Sequence, residues 1–274
     1  MHNLLILGSG RSGTSLAASL FRNNPGVFYG HELIEARPAN PYGYFEDRIL
    51  NSVNDLIIRS MLRSRWADAL PLRLVQKCPP LPIPPYHLDG RALWLLAPRR
   101  LRRCEVGVSI RRMMRCYGKE GTHEPFVYKD PRFSVTLPLW RSYLPANTRF
   151  LVVFRDPDRT IESILRDASE TYTLPLRVTP RWLFTHWRRT YETILQDLCR
   201  DGKWLLVDFD QILSGQATEA IKNFANADVD VSRIDPAASR AKGQHLYEFR
   251  AARQSRELYR RLKQRSQSDC DLWS

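Results

Sequence analysis

Leu4-Leu5-Ile6-Leu7-Gly8-Ser9-Gly10-Arg11-Ser12-Gly13-Thr14-Ser15-Leu16 is an apolar run of strand length that enters a loop of small residues. The loop opens directly into Leu16-Ala17-Ala18-Ser19-Leu20-Phe21, which reads as a helix. Strand, glycine-rich turn and helix start together make an anion cradle. Glycines let the backbone approach a ligand, several N–H groups converge on one spot, and the helix dipole favours negative charge there. Ser12, Thr14 and Ser15 add hydroxyl donors, and Arg11 adds a cation.

Working outward, strand signals recur at Phe126-Val127-Tyr128-Lys129, at Arg149-Phe150-Leu151-Val152-Val153-Phe154 and at Trp204-Leu205-Leu206-Val207-Asp208-Phe209. Val27-Phe28-Tyr29 is a short strand candidate. Helical patterns lie between them. One spans 49–62 with Asp47 as its cap, one spans about 158–168 behind Pro157, and a longer one spans 180–199. Its buried stripe would use Trp182, Phe184, Trp187, Tyr191, Ile194, Leu195 and Leu198. Further helices are expected near 90–117, 216–226 and 250–265. Strands alternating with helices imply an α/β fold, with a parallel central sheet flanked by helices. Such sheets bind ligands at the carboxyl ends of their strands, and Arg11 and Arg155 both follow strand ends.

The 274 residues are read as one domain. Within it, about 66–120 is expected as a helical and Pro-rich insertion that shapes a substrate site. It holds the rigid run Cys78-Pro79-Pro80-Leu81-Pro82-Ile83-Pro84-Pro85 and the cluster Arg99-Arg100-Leu101-Arg102-Arg103. Tyr42, Tyr44 and Phe45, in a Pro- and Gly-rich stretch, are candidates for holding a substrate.

Apolar residues make up 43% of the chain, enough for a substantial core. The five cysteines are scattered and form no C-x-x-C pair, so neither a disulfide framework nor a zinc site is expected, and no metal. A net charge of +13 suits an anionic ligand, a nucleic acid or an acidic membrane surface. No nucleic-acid motif accompanies the charge, so no nucleic-acid partner is expected. No apolar run reaches the roughly 18 residues of a membrane span. Met1-His2-Asn3 leads straight into the first strand without a signal peptide, and a cytoplasmic protein is the expectation.

Gly8 and Gly13 have the spacing of a nucleoside triphosphatase P-loop, but Thr14 stands where those enzymes need Lys. Arg11-Ser12-Gly13-Thr14-Ser15 resembles instead the 5'-phosphosulfate loop of sulfotransferases that use 3'-phosphoadenosine 5'-phosphosulfate (PAPS). The resemblance implies a P-loop-like sulfotransferase fold, PAPS as co-substrate, and Gly10, Arg11, Ser12, Gly13, Thr14 and Ser15 around its phosphosulfate. Arg155 and Ser163, eight residues apart, resemble the strand-end Arg and helical Ser that hold the donor's 3'-phosphate in that family. A planar guanidinium and a facing hydroxyl suit a phosphate.

Gly30-His31-Glu32 is similar to a Gly-Glu-Glu run of tyrosylprotein sulfotransferases, where the second Glu also lies 21 residues after the loop Arg. That similarity implies Glu32 as the catalytic base and Arg11 as the stabiliser of the leaving phosphate. Lys129-Asp130-Pro131-Arg132 resembles a segment that borders the active site in bacterial members, without the His that cytosolic members carry there. Arg240-Ala241-Lys242-Gly243 is a faint counterpart of the family's C-terminal 3'-phosphate loop and adds Lys242.

Glu46 and Asp130 are rival bases, Arg155 has an alternative as an ion-pair partner of Asp156 or Asp208, and Glu32 as an anchor for Arg37. The rival functions are a P-loop kinase or triphosphatase and a non-catalytic basic polyanion binder. The implied acceptor is a small-molecule, carbohydrate or lipid hydroxyl.

Overall fold

The computed structural model describes residues 1–36, 43–69, 106–119, 121, 125–171, 179–235 and 247–274. Four strands, β1 (Leu4–Gly8), β2 (Val127–Lys129), β3 (Arg149–Phe154) and β4 (Lys203–Asp208), form a sheet in the order β2-β1-β3-β4. Every pairing is parallel. The fold is α/β, as the alternation implies, and the four apolar runs are its four strands.

Nine helices are described: α1 (Thr14–Ser19), α2 (Arg48–Ala69), α3 (Val108–Tyr117), α4 (Phe133–Trp140), α5 (Pro157–Thr171), α6 (Pro180–Thr193), α7 (Phe209–Leu213), α8 (Thr218–Ala225) and α9 (Arg250–Trp273). They cover both faces of the sheet. Leu5, Leu7, Tyr128, Phe150, Val152, Phe154 and Leu206 pack on one side with Ile57 of α2, Trp140 of α4, Trp187 and Tyr191 of α6, and Leu258 of α9. Leu4, Ile6, Val127, Leu151, Val153, Leu205 and Val207 pack on the other with Ala17 and Phe21 near α1 and Ile221 and Phe224 of α8. Alternate residues of a strand point to opposite faces, so covering both faces requires an unbroken apolar run.

Asp47 caps and Pro157 opens the helices expected of them, and Asp156 and Thr179 add caps not read from the sequence. Asp47 Oδ1 accepts the N–H of Leu50 at 2.8 Å and starts α2. Asp156 accepts the N–H of Arg159 at 3.0 Å, with Pro157 opening α5. Thr179 caps α6 ahead of Pro180.

Three boundaries differ from expectation. The 180–199 helix is regular to Thr193 and ends in a π turn, Ile194–Leu198, and Trp182 and Leu195 are only half-buried. Residues 27–29 form a single bridge, Phe28 to Phe126, because β2 is itself three residues long. The last helix runs on to Trp273, because Leu258, Leu262, Ser266, Asp269 and Cys270 continue its buried stripe at helical spacing.

That helix also closes an edge of the sheet. Asp269 accepts the N–H of Leu206 at 3.2 Å, and Ser266 Oγ accepts that of Asp208 at 3.3 Å. Of the expected 66–120 insertion, 70–105 lies outside the described residues, with its proline run and arginine cluster. Arg37, Tyr42 and Lys242 lie outside them as well.

Candidate active site

All four strands point their carboxyl ends the same way. Gly8 hands the chain to the glycine-rich loop, Lys129 ends β2, Arg155 follows β3, and Asp208-Phe209 joins β4 to α7. Side chains from distant parts of the sequence therefore meet at one edge, where open parallel sheets take their ligands.

The loop is tightly built. Arg11 has a left-handed backbone, φ 64°, which costs a side-chain-bearing residue on the order of 1 kcal/mol. Gly13 has φ 96°, and a Cβ there would lie 2.1 Å from the Phe209 ring, so the position accepts only glycine. Ser12 is fully buried, and its hydroxyl is within hydrogen-bonding reach of the carbonyls of Ser9 (2.6 Å) and Val153 (3.1 Å). The hydroxyl expected to meet a ligand thus braces the loop. Tyr191 of α6 holds it from below: its Oη accepts the Ser9 N–H at 3.0 Å and donates to Val153 O at 2.9 Å.

Arg11 Nε donates to Ser163 Oγ at 3.1 Å, so the loop after β1 meets the helix after β3. Arg155 is buried beside them, its guanidinium 4.7 Å from the centroid of the Phe209 ring. Arg159 Nη1 donates to both carboxylate oxygens of Asp210, at 2.7 and 2.8 Å. Burial and, after it, the neighbouring Arg159 charge lower the pKa of Arg155 to about 10. Asp208, the alternative ion-pair partner for Arg155, caps α7 and accepts the Tyr259 hydroxyl at 2.8 Å. Three guanidinium groups and a hydroxyl gathered this way suit a multiply charged anion.

At the other end of the loop, the Ser15 hydroxyl accepts from Lys129 Nζ at 3.2 Å and reaches Tyr44 O at 3.2 Å. Lys129 is 3% exposed and is ion-paired with Glu46. Burial alone would raise the pKa of Glu46, but the Lys129 and Arg132 charges and bonds from Lys129 and Asn51 hold it below the usual carboxylate value. Asp130 is fully enclosed, accepting from Asn54 at 2.7 Å and from Arg132 at 2.9 and 3.0 Å.

Glu32, by contrast, is exposed. Its main chain is fixed: its N–H donates to Asp47 Oδ2 at 3.0 Å, and its carbonyl accepts from Arg48 at 2.8 Å. The adjacent His31 ring lies edge-on to Phe28 and Tyr117.

The sulfotransferase family matches residues 3–231. The chain belongs to that family. Two solved sulfotransferase domains share its fold. The sulfotransferase domain from the curacin biosynthetic pathway superimposes with a TM-score of 0.54 at 13% identity, covering 94% of this chain and 97% of the other. The sulfotransferase domain from the Synechococcus PCC 7002 olefin synthase gives 0.50 at 16% identity, covering 94% of each chain. No curated protein sequence matches significantly.

In this sulfotransferase the residues singled out from sequence divide into groups. Gly10, Arg11, Gly13, Thr14, Ser15, Arg155 and Ser163 share the strand-end edge, Ser12 lies beneath it, and Glu32 sits on the separate 28–47 segment. Sequence reasoning placed Lys129 in a segment bordering the active site but missed its pairing with Glu46, and it missed the parts played by Phe209, Tyr191 and Arg159. A lysine ending an otherwise apolar strand was the available signal for Lys129, whereas Tyr191 and Phe209 read as ordinary core. Among the described residues no His, Cys, Asp and Glu side chains are grouped to hold a metal, and no helix is long and apolar enough to cross a membrane.

Proposed function

We propose that this sulfotransferase moves a sulfuryl group from PAPS to the hydroxyl of a small molecule, carbohydrate or lipid. The observation that carries the reading is the Arg11–Ser163 hydrogen bond at 3.1 Å, which joins the phosphate-type loop to a second basic cluster around Arg155. A donor with phosphate groups at two positions needs two such sites side by side. The residues suit it: Gly13 lets the loop close against the Phe209 ring that also carries Arg155, and the arginines supply compensating charge.

PAPS, when bound, supplies a sulfuryl group already attached to a phosphate leaving group. The loop N–H groups with Gly10, Thr14 and Ser15 hold the 5' end, Ser12 keeps the loop in shape, and Arg155, Ser163 and Lys242 hold the 3'-phosphate. Glu32 takes the acceptor's proton as the acceptor oxygen bonds sulfur, and Arg11 neutralises the charge left on the bridging phosphate oxygen. Glu32 is favoured over its rivals because its carboxylate is exposed. Asp130 is enclosed, and Glu46 is committed to Lys129. Positioning and electrostatics carry the transfer, as in phosphoryl transfer, and no metal enters the proposed chemistry.

Calorimetric titration with adenosine 3',5'-bisphosphate tests the reading. We expect saturable binding that is the same with and without magnesium. Arg155→Ala and Ser163→Ala should each weaken it by about 10- to 100-fold, the worth of a charge-assisted hydrogen bond. Glu32→Gln should leave affinity near wild type and lower sulfuryl transfer by about 100-fold or more. Absence of binding at millimolar ligand sinks the proposal. Magnesium-dependent ATP binding would favour a kinase, and salt-sensitive polyanion binding that survives Arg11→Ala would favour a non-catalytic binder.

A further inference from the structure

We infer that Glu46 is a positioning residue whose carboxylate sets both the direction and the charge of the Lys129 ammonium at the loop. The inference rests on the proposed function for the identity of the anion that Lys129 faces; the Glu46–Lys129 relation stands on geometry.

Lys129 is delivered by the end of β2 into a site where it is 3% exposed. An ammonium taken out of water without a countercharge loses its proton readily. Lys129 contacts Glu46 and the Ser15 hydroxyl, and Glu46 is in turn approached by Arg132 and Asn51, with Asp130 and Asp55 beyond on Arg132. Arg132 is itself engaged with Asp55 at 2.7 Å and Asp130 at 3.0 Å, and its closest approach to Glu46 is 4.0 Å. Glu46 is therefore the carboxylate that compensates Lys129.

Direction follows from the same contacts. A lysine stem is flexible, and its ammonium has three donors. Ser15 takes one and Glu46 takes another, which leaves the third for an anion in the loop. Glu46 cannot swing away freely. Asn51 Nδ2 donates to its other oxygen at 2.9 Å, its carbonyl accepts from Ile34 at 2.8 Å, and the chain enters it through a left-handed Phe45, φ 53°. The loop thus has Arg11 near its middle and a charged Lys129 at its Ser15 end, and Glu46 maintains the second.

The test uses Glu46→Gln, which keeps the shape and can still accept from Lys129 while removing the charge. The first readout is the pKa of the Lys129 ammonium, followed by NMR of 15N-lysine protein and assigned with Lys129→Arg. It should fall by about two to three units in Glu46→Gln. The second is calorimetric affinity for PAPS between pH 7 and pH 9. It should hold nearly constant in wild type and drop by about tenfold in Glu46→Gln as Lys129 deprotonates. Glu46→Asp, which keeps the charge but draws it back by one methylene, should fall measurably between wild type and Glu46→Gln in both readouts.

An unchanged Lys129 pKa in Glu46→Gln overturns the inference, as does an affinity loss equal at both pH values, which is the signature of a merely structural role. If Glu46→Gln does not fold, Glu46→Asp decides alone: its retracted carboxylate should lower the Lys129 pKa measurably, and no change refutes the idea. Failure of wild type to bind PAPS would overturn the proposed function and leave the NMR titration to judge Glu46 separately.

Discussion

Changing Tyr191 to Phe removes one oxygen and leaves the packing in place. The ring is fully buried against Phe154 and Trp187, and its hydroxyl lies between Ser9 and Val153. The Val153 carbonyl keeps Ser12 Oγ within reach at 3.1 Å, a proton it shares with Ser9 O at 2.6 Å, so the main loss falls on Ser9. Ser9 is 1% exposed, and its N–H loses the acceptor at 3.0 Å. Leaving one buried N–H unsatisfied costs about 1–3 kcal/mol. The expected loss is thus about 2 kcal/mol, roughly 30-fold in the folding constant. Urea denaturation should show a lower midpoint with an unchanged slope. Affinity for adenosine 3',5'-bisphosphate should also fall several-fold, because the loop loses its hold on α6. A stability loss under about 0.5 kcal/mol, with affinity unaltered, would refute the claim that α6 fixes the loop.

Two further outcomes follow from buried polar groups. Asn54, fully buried, accepts from Thr136 at 2.8 Å and Trp140 at 2.7 Å and donates to Asp130 at 2.7 Å. Asn54→Ala strands several of these groups and should cost about 3 kcal/mol or more by denaturation. His186 is enclosed, and burial, with a smaller contribution from Arg189, lowers its pKa to about 3. The unfolded chain takes up that proton near pH 6.5, so unfolding is favoured as pH drops from about 6.5 towards about 3. About 2 kcal/mol of His186-linked stability should be missing at pH 5 relative to pH 7, and His186→Gln should flatten that slope.

The architecture was readable because burial on both sheet faces forces each strand to be continuously apolar, and all four such runs are strands. Caps were readable for an equally local reason: Asp47 and Pro157 act within a few residues of themselves. What failed to show was set by approach across the sheet. Ser12 sits in the loop like any hydroxyl donor, and only the passage of β3 beneath it turns that hydroxyl inward. Tyr191 lies 182 residues from the Ser9 N–H it satisfies, so nothing in its own helix distinguishes it from a core aromatic. Lys129 and Glu46 meet because β2 pairs with β1 and a segment far earlier in the chain folds over the loop. The strand order and the direction of each side chain decide such pairs, and neither is encoded in local periodicity.

The way α9 meets β4 has a consequence for how the molecule behaves among its own copies. A terminal strand normally presents a row of amide groups that a second chain can complete. Here Asp269 and Ser266 already accept from Leu206 and Asp208, so helix side chains take the place of a fifth strand. Cutting the chain before Ser266 would uncover those two amides on an otherwise apolar strand. The shortened protein would become adhesive along β4, joining other copies edge to edge, although every residue of the strand-end site would still be present.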